Sequence, residues 1–328
     1  MEREVRINGR RLSFFDSGEV SEASPVVLLI HGFPFDHRMW RAQCEMLPTY
    51  GVRVIAPDLP GFGKSEPMAN RTIPTMFAGI GVSAGVLAVR LTTGLGGAIG
   101  GAIGGGLGAA AGLFVGDLLA RRRHAGTARM RDYAMTLLDL LRKLGIQHSV
   151  HVAGLSMGGY VALEMAAMLP KRIIAGLILC DTRSTADSPE VVKKRRATAT
   201  QILEDDSAEF LADGMIPKLL SESSRQNQPE LEGRVRTMIG DASAVGAAAA
   251  ARGMAVRPDR TKTLAKIRVP VTFVVGEEDS LSPPDVMEEM QRLLPAMTTS
   301  RLIRVPGAAH LAPMEVPECF PADFTRKP

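Results

Sequence analysis

The stretch VAGLSMGGYVALEMAA, residues 152–167, places one serine between glycines where a strand pattern gives way to a helical one. The run at residues 149–153 predicts a short buried strand, and the apolar residues that follow recur at helical spacing. Ser156 therefore occupies a sharp turn from strand to helix. Glycines at such a turn let neighbouring backbone approach closely, which leaves the serine hydroxyl clear of the chain.

Strand and helix patterns alternate outward from this stretch along most of the chain. Strands are predicted at residues 4–7, 11–15, 26–30, 52–56, 149–153, 173–179, 271–275 and 302–305, and helices at 39–47, 132–144, 158–169 and 285–294. Asn8-Gly9 is a typical hairpin turn between the first two strands. The alternation predicts an α/β protein with a mostly parallel sheet that is covered by helices on both faces.

Two stretches interrupt this alternation. Residues 184–264 are polar and alanine-rich with helical character, which predicts a helical cap between two sheet strands. Residues 77–130 resemble an addition to a complete domain, because joining Met76 to Arg131 would leave an ordinary loop. The predicted organisation is a core part at 1–183 that contains the 77–130 insertion, a helical cap at 184–264 and a second core part at 265–328.

The insertion has an unusual composition. Residues 92–116 contain no charged side chain and 11 glycines, six of which recur at every fourth position. This period is typical of close packing between membrane helices, and a helical span needs roughly 20 residues. Each glycine, however, costs a helix in water about 1 kcal/mol relative to alanine. Two interpretations follow: membrane contact or self-association through residues 77–130, or a loosely helical surface insertion.

Composition limits the remaining function classes. The chain has 328 residues, 45% of them hydrophobic, and a net charge of +4, but only 5% are aromatic, so we expect no nucleic-acid partner. Cys44, Cys180 and Cys319 lie far apart and show no metal-ligand spacing, which favours a reducing compartment. The first 16 residues contain no apolar run typical of a signal peptide. We therefore expect a cytoplasmic protein. Membrane contact through residues 77–130 would make it membrane-associated.

The turn at Ser156 fits the pattern G-x-S-x-G, from Gly154 to Gly158. A serine hydroxyl is a weak nucleophile and needs a neighbouring base. Of the six histidines, His310 follows the strand at 302–305, so it lies at the same edge of the sheet as Ser156. The other histidines fall in helical, inserted or strand-edge settings, where surface or packing roles are expected.

The base needs a carboxylate to orient it, and Asp279 follows the strand at 271–275 at that same edge. Glu277 and Glu278 in the same turn are alternatives, although the more distal position of Asp279 better suits a side chain directed inward. The chain order serine, aspartate, histidine matches nucleophile, acid and base.

Acyl transfer also needs donors for a negatively charged oxygen. The loop that follows the strand at 26–30 contains Phe33, and Met157 begins the helix after the serine. We predict that the backbone N–H groups of Phe33 and Met157 form this oxyanion hole, where one donor contributes on the order of 3 kcal/mol.

At these residues the sequence resembles the α/β-hydrolase family, specifically its small carboxylesterases and 3-oxoadipate enol-lactonase-like members. The matching segments are HGFPFD at 31–36, DLPGFGKS at 58–65, GLSMGG at 154–159, LCDTRSTADSPE at 179–190, VVGEEDSLSPP at 274–284 and PGAAHLAPMEVPE at 306–318. The resemblance implies an eight-stranded, mostly parallel sheet with a helical cap over the site. It implies Ser156, Asp279 and His310 as the triad, Phe33 and Met157 as oxyanion donors, and no metal or organic cofactor.

The implied reaction is hydrolysis of a small-molecule ester or lactone through an acyl-enzyme. Cofactor-free haloperoxidase or perhydrolase activity and C–C bond hydrolysis are alternatives on the same fold. An alternative of another class is a protein that associates with membranes or with itself through the glycine-rich insertion.

Overall fold

The computed structural model describes residues 1–18, 24–68, 126–146, 150–168, 173–322 and 324. One compact unit comprises Met1–Met68 and Thr127–Pro328, and Ala69–Gly126 form a second unit. Of the insertion predicted at 77–130, residues 77–125 lie outside the described residues, and this includes the glycine-rich stretch at 92–116. Among the described residues, no helix is both long enough and apolar enough to span a bilayer.

The described chain forms one eight-stranded sheet with the order β1-β2-β4-β3-β5-β6-β7-β8. The strands are β1 (Glu2–Ile7), β2 (Arg10–Asp16), β3 (Val26–Ile30), β4 (Arg53–Pro57), β5 (Val150–Leu155), β6 (Ile174–Cys180), β7 (Val271–Gly276) and β8 (Ser300–Val305). β2 pairs antiparallel with β1 and with β4, and all other neighbouring strands are parallel. This confirms the mostly parallel sheet that the sequence predicts.

Helices occupy the connections between the strands. The described α-helices are α1 (Arg41–Met46), α2 (Met130–Lys143), α3 (Met157–Met168), α4 (Pro189–Asp205), α5 (Leu211–Leu219), α6 (Glu222–Asn227), α7 (Pro229–Asp241), α8 (Ala244–Ala255), α9 (Thr261–Leu264), α10 (Pro284–Arg292) and α11 (Ala312–Glu315). Helices α4 to α9 all lie between β6 and β7, and we refer to residues 184–264 as the helical segment.

The helix predicted at residues 39–47 is divided into three pieces. A 3-10 turn (His37–Trp40) precedes α1, and a second 3-10 turn (Leu47–Tyr50) follows it. The second break coincides with Pro48, which has no N–H to continue the α-helical hydrogen bonds.

The central strands explain why the sheet forms. All five residues of β3, VVLLI, are buried, as expected for a parallel strand that is covered on both faces. Each fully buried side chain of this kind contributes about 1.5–3 kcal/mol to folding. The carboxyl ends of the parallel strands share one edge, so the loops after β3, β5, β7 and β8 converge there. These loops carry the residues that the sequence singles out.

Candidate active site

Ser156 lies in the turn between β5 and α3 with a φ of 53°, in the left-handed region that side chains rarely adopt. Its N–H donates to the carbonyl oxygen of Cys180 at 2.9 Å. Its own carbonyl oxygen accepts a hydrogen bond of 2.7 Å from the Thr182 hydroxyl. Backbone and side-chain contacts with the end of β6 therefore hold the strained residue in place.

Two glycines make the turn possible. A Cβ atom on Gly154 would lie 2.2 Å from the carbonyl oxygen of Gly158, which is far inside van der Waals contact. A Cβ atom on Gly158 would lie 2.1 Å from the carbonyl oxygen of Ile30. The start of α3 is therefore packed directly against the end of β3, and this brings the loops containing Met157 and Phe33 together.

The structure brings Ser156, His310 and Asp279 into one hydrogen-bonded series. His310 Nε2 lies 2.9 Å from Ser156 Oγ, and His310 Nδ1 lies 2.8 Å from Asp279 Oδ2. Asp279 is buried, whereas the neighbouring Glu277 and Glu278 are exposed. Of the three acids in this turn, the aspartate that the sequence favours is thus the one that contacts the imidazole.

Asp279 is held as a carboxylate. Burial on its own would raise the pKa of Asp279, but the charge and hydrogen bond of His310 lower it below its ordinary value. The N–H groups of Leu281 and Ser282 also donate to Asp279 Oδ1, at 2.7 and 3.0 Å, and act in the same direction. The lowered pKa favours the ionised form, which can stabilise a positive charge on His310.

The backbone N–H groups of Phe33 and Met157, which the sequence predicts as oxyanion donors, lie on either side of the serine turn. Among the described residues, the N–H groups of Phe33 and Met157 have no hydrogen-bond acceptor. Met157 N is the first N–H of α3, whose unpaired N–H groups and dipole favour negative charge. Phe33 follows β3, whose last carbonyl oxygen faces the start of the same helix. Two N–H groups without an acceptor in the described part of the chain thus flank the serine turn.

Sequence reasoning assigned no role to Asp181, which is completely buried beside this series. Asp181 Oδ1 accepts a 2.9 Å hydrogen bond from the N–H of Gly276, at the start of the turn that carries Asp279. Burial, followed by the negative charges of Asp279 and Glu315, raises the pKa of Asp181 well above its ordinary value. The raised pKa favours the neutral form of Asp181, whereas the lowered pKa of Asp279 favours the carboxylate that contacts His310. The position of Asp181 directly after β6 is the same signal that identified Asp279 after β7.

A second buried acid, Glu315, joins the loop of His310 to the helical segment. Its Oε1 accepts from the N–H of Ala309 at 2.7 Å, and its Oε2 accepts from the N–H of Ser221 at 2.8 Å. A backbone hydrogen bond of 3.0 Å from Leu311 to Leu219 joins the same two regions. The residue before His310 is therefore fixed by a carboxylate that also contacts the junction of α5 and α6.

Asp36, His37 and Asp58 form another cluster, whose potential metal-ligand atoms lie within 4.8 Å of one another. The carboxylate oxygens of this cluster already accept hydrogen bonds from other groups of the chain. Arg38 binds both carboxylate oxygens of Asp36, and Asp58 accepts from the His37 ring and from the N–H of Lys64. The cluster is therefore a network of internal hydrogen bonds and ion pairs at the start of two loops.

Comparison with known proteins identifies the wider relationship. A family model described as the alpha/beta hydrolase fold matches residues 25–317. The AB hydrolase superfamily protein YisY of Bacillus subtilis (strain 168) is 26% identical over 302 residues, which cover 89% of this chain and 87% of that protein.

Solved structures agree with this relationship. A thermophilic esterase from Thermogutta terrifontis, in a malate-bound structure, is 35% identical with a TM-score of 0.74, covering 97% of this chain and 94% of its own. The enol-lactonase from Burkholderia xenovorans LB400 is 20% identical with a TM-score of 0.72, covering 97% of this chain and 96% of its own. At this lower identity, the likeness to the enol-lactonase shows the fold alone.

Proposed function

The chain belongs to the α/β-hydrolase fold family, and from this premise we propose that it is a serine hydrolase that cleaves carboxylic esters or lactones. One observation carries the proposal: His310 Nε2 lies 2.9 Å from Ser156 Oγ while His310 Nδ1 lies 2.8 Å from Asp279. These are the distances at which a base can remove the serine proton and a carboxylate can orient the base.

In the proposed cycle, Ser156 Oγ attacks the carbonyl carbon of the substrate as His310 Nε2 takes the hydroxyl proton. Asp279 stabilises the resulting imidazolium through its contact with Nδ1 and does not itself take the proton. The carbonyl oxygen becomes negatively charged and accepts hydrogen bonds from the N–H groups of Phe33 and Met157. Loss of one such donor raises a barrier of this kind by about 3 kcal/mol.

Collapse of the tetrahedral intermediate breaks the bond to the leaving alcohol, which receives the proton from His310. The acyl group is then esterified to Ser156. Water activated by His310 attacks this acyl-enzyme and releases the acid, and the serine recovers its proton. For a lactone the alcohol remains tethered to the acyl group, so the product is a hydroxy acid.

We propose that the helical segment serves as a cap and that the core comprises residues 1–183 and 265–328. The hydrogen bonds from Ser221 to Glu315 and from Leu311 to Leu219 support this, because they join the segment to the loop of His310. A cap in this position would shape the substrate pocket. The 35% identity to an esterase supports ester substrates, and lactones follow from the same carbonyl chemistry.

The test is turnover of p-nitrophenyl acetate and p-nitrophenyl butyrate by the wild-type protein and by Ser156→Ala. We expect activity in the wild type and a loss of at least about a thousandfold in the variant, as for removal of a nucleophile. Ser184→Ala, at a buried serine near the start of the helical segment, is the matched control and should retain activity. Unchanged turnover by Ser156→Ala would overturn the proposal.

A further inference from the structure

A cavity of about 390 Å³ lies between the start of α2 and the link from α8 to α9. Four arginines line it, together with one carboxylate: Arg129, Arg131, Arg257, Arg260 and Glu164. None of these residues belongs to the hydrogen-bonded series of Ser156, and the proposed hydrolysis uses none of them. The cavity is therefore a candidate site of its own, with a strong excess of positive charge.

Internal contacts fix two of the four guanidinium groups. Arg260 binds the two carboxylate oxygens of Glu164 at 2.8 and 2.6 Å, and Glu164 is the one acidic residue among the described residues that line the cavity. Arg257 is 7% exposed; it contacts Asp187 at 2.6 Å and lies 4.1 Å over the ring of Tyr160. These two side chains form a preorganised wall, and preorganisation lowers the entropic cost of binding.

The other two guanidinium groups belong to exposed side chains. Arg129 and Arg131 are exposed at the start of α2, and within the described part of the chain neither side chain forms an ion pair. Two exposed arginines with no ion pair among the described residues thus line the same cavity as two arginines that internal contacts fix.

We propose that this cavity binds a phosphate ester. Guanidinium groups donate paired hydrogen bonds to phosphate oxygens. The two negative charges of a phosphate monoester would balance the positive charges of Arg129 and Arg131. The start of α2, a 14-residue helix, adds the positive end of a helix dipole. Met130, Val256 and Pro258 supply apolar wall for the organic part of the ligand. The volume lies within the range of small-molecule sites, about 300–1,000 Å³.

Calorimetric titration of the full chain with glycerol 3-phosphate and with inorganic pyrophosphate, at about 150 mM salt, tests the proposal. We expect saturable binding by the wild type and at least about tenfold weaker binding by Arg129→Gln/Arg131→Gln, because each lost charged hydrogen bond is worth that much. The matched control is Arg142→Gln/Lys143→Gln, which removes the same charge from the other end of α2 and should bind as the wild type does.

Sedimentation with vesicles of phosphatidic acid or of phosphatidylcholine distinguishes a lipid phosphomonoester from a soluble phosphate as the ligand. Binding to phosphatidic acid that the Arg129/Arg131 variant loses assigns the site to a headgroup, and binding of the soluble phosphates alone assigns it to a metabolite. Absence of binding in both arms, or equal weakening by the two double variants, would overturn the proposal. Ester hydrolysis by both variants should stay at the wild-type level, so this test is independent of the hydrolase assignment.

Discussion

Among the described residues, two histidine–carboxylate pairs lie in segments that follow strands of the sheet. They differ in what the second ring nitrogen of the histidine contacts. His310 Nδ1 is 2.8 Å from Asp279, and His37 Nδ1 is 2.6 Å from Asp58. His310 Nε2 continues to the Ser156 hydroxyl at 2.9 Å. His37 Nε2 instead faces Glu2, at 3.8 Å.

The two carboxylates also use their remaining oxygens differently. Asp279 Oδ1 accepts from the two N–H groups of its own turn, so the carboxylate and its loop form one rigid unit behind the imidazole. Asp58 Oδ1 also accepts from the N–H of His37, and its Oδ2 accepts from the N–H of Lys64. The second pair therefore joins two loops, after β3 and after β4.

In the proposed mechanism His310 can act as a base because its second ring nitrogen reaches a hydroxyl, whereas the second ring nitrogen of His37 faces a carboxylate. Distance and burial alone do not distinguish the two pairs, since the shorter contact belongs to the pair without a serine. The strained turn at Ser156 supplies the distinction, because it presents a hydroxyl to His310.

Matched amide substitutions of the two carboxylates should separate catalysis from stability. Asp279→Asn should lower kcat by about ten-thousandfold, because the amide favours the wrong tautomer of His310 and cannot stabilise its positive charge. Asp58→Asn should leave kcat close to the wild-type value but reduce the free energy of unfolding by about 1.5–3 kcal/mol. Ester turnover and urea unfolding of both variants measure this, and a large loss of kcat in Asp58→Asn would remove the distinction.

Substitution of Glu315 should have a smaller effect on kcat, and it should act through the loop of His310. Glu315→Ala leaves the N–H groups of Ala309 and Ser221 without acceptors, so the loop of His310 should shift and kcat should fall about 10- to 100-fold. Glu315→Gln keeps one acceptor and should fall between Glu315→Ala and the wild type. Steady-state kinetics should show the change mainly in kcat rather than KM. The exposed Glu318, substituted by alanine, is the control; equal losses in both alanine variants would contradict a positioning role.

The pH dependence of stability should identify the structural pair. Burial acts to lower the pKa of His37, but the hydrogen bond and charge of Asp58 raise it above its ordinary value. The folded state thus binds the proton more tightly than the unfolded state, so this stabilisation is complete below about pH 6.5 and is lost as pH rises through the raised pKa. The difference in Tm between the wild type and His37→Gln should therefore be larger at pH 6 than at pH 9. A Tm difference that does not depend on pH would show that His37 contributes no ion pair. At each pH, ester turnover by His37→Gln should equal that of the wild type.

The fold follows from the sequence where local pattern and burial agree. Strand β3 is a continuous apolar run that is buried on both faces, and it lies where the pattern predicts it. The helix predicted at 39–47 is less regular in the structure, because Pro48 interrupts the hydrogen bonds that the apolar spacing suggests. The apolar spacing of this segment therefore does not predict that it forms one short α-helix between two 3-10 turns.

The candidate site could be predicted only in part. Ser156, Asp279 and His310 carry a motif and a chain order, so sequence reasoning could name them before any distance was known. Asp181 and Glu315 contact backbone N–H groups contributed by distant segments, Gly276 in one case and Ser221 in the other. Every residue type except proline offers a backbone N–H, so no residue pattern along the chain predicts such a contact.

The most direct test of the account is covalent labelling of the full chain with a fluorophosphonate, which reacts with activated serine hydroxyls, followed by peptide mass spectrometry. We expect one label per chain, on Ser156, and no label on Ser156→Ala or on His310→Ala, which lacks the base. A label on another residue, or equal labelling of Ser156 without His310, would contradict the claim that this serine is the nucleophile.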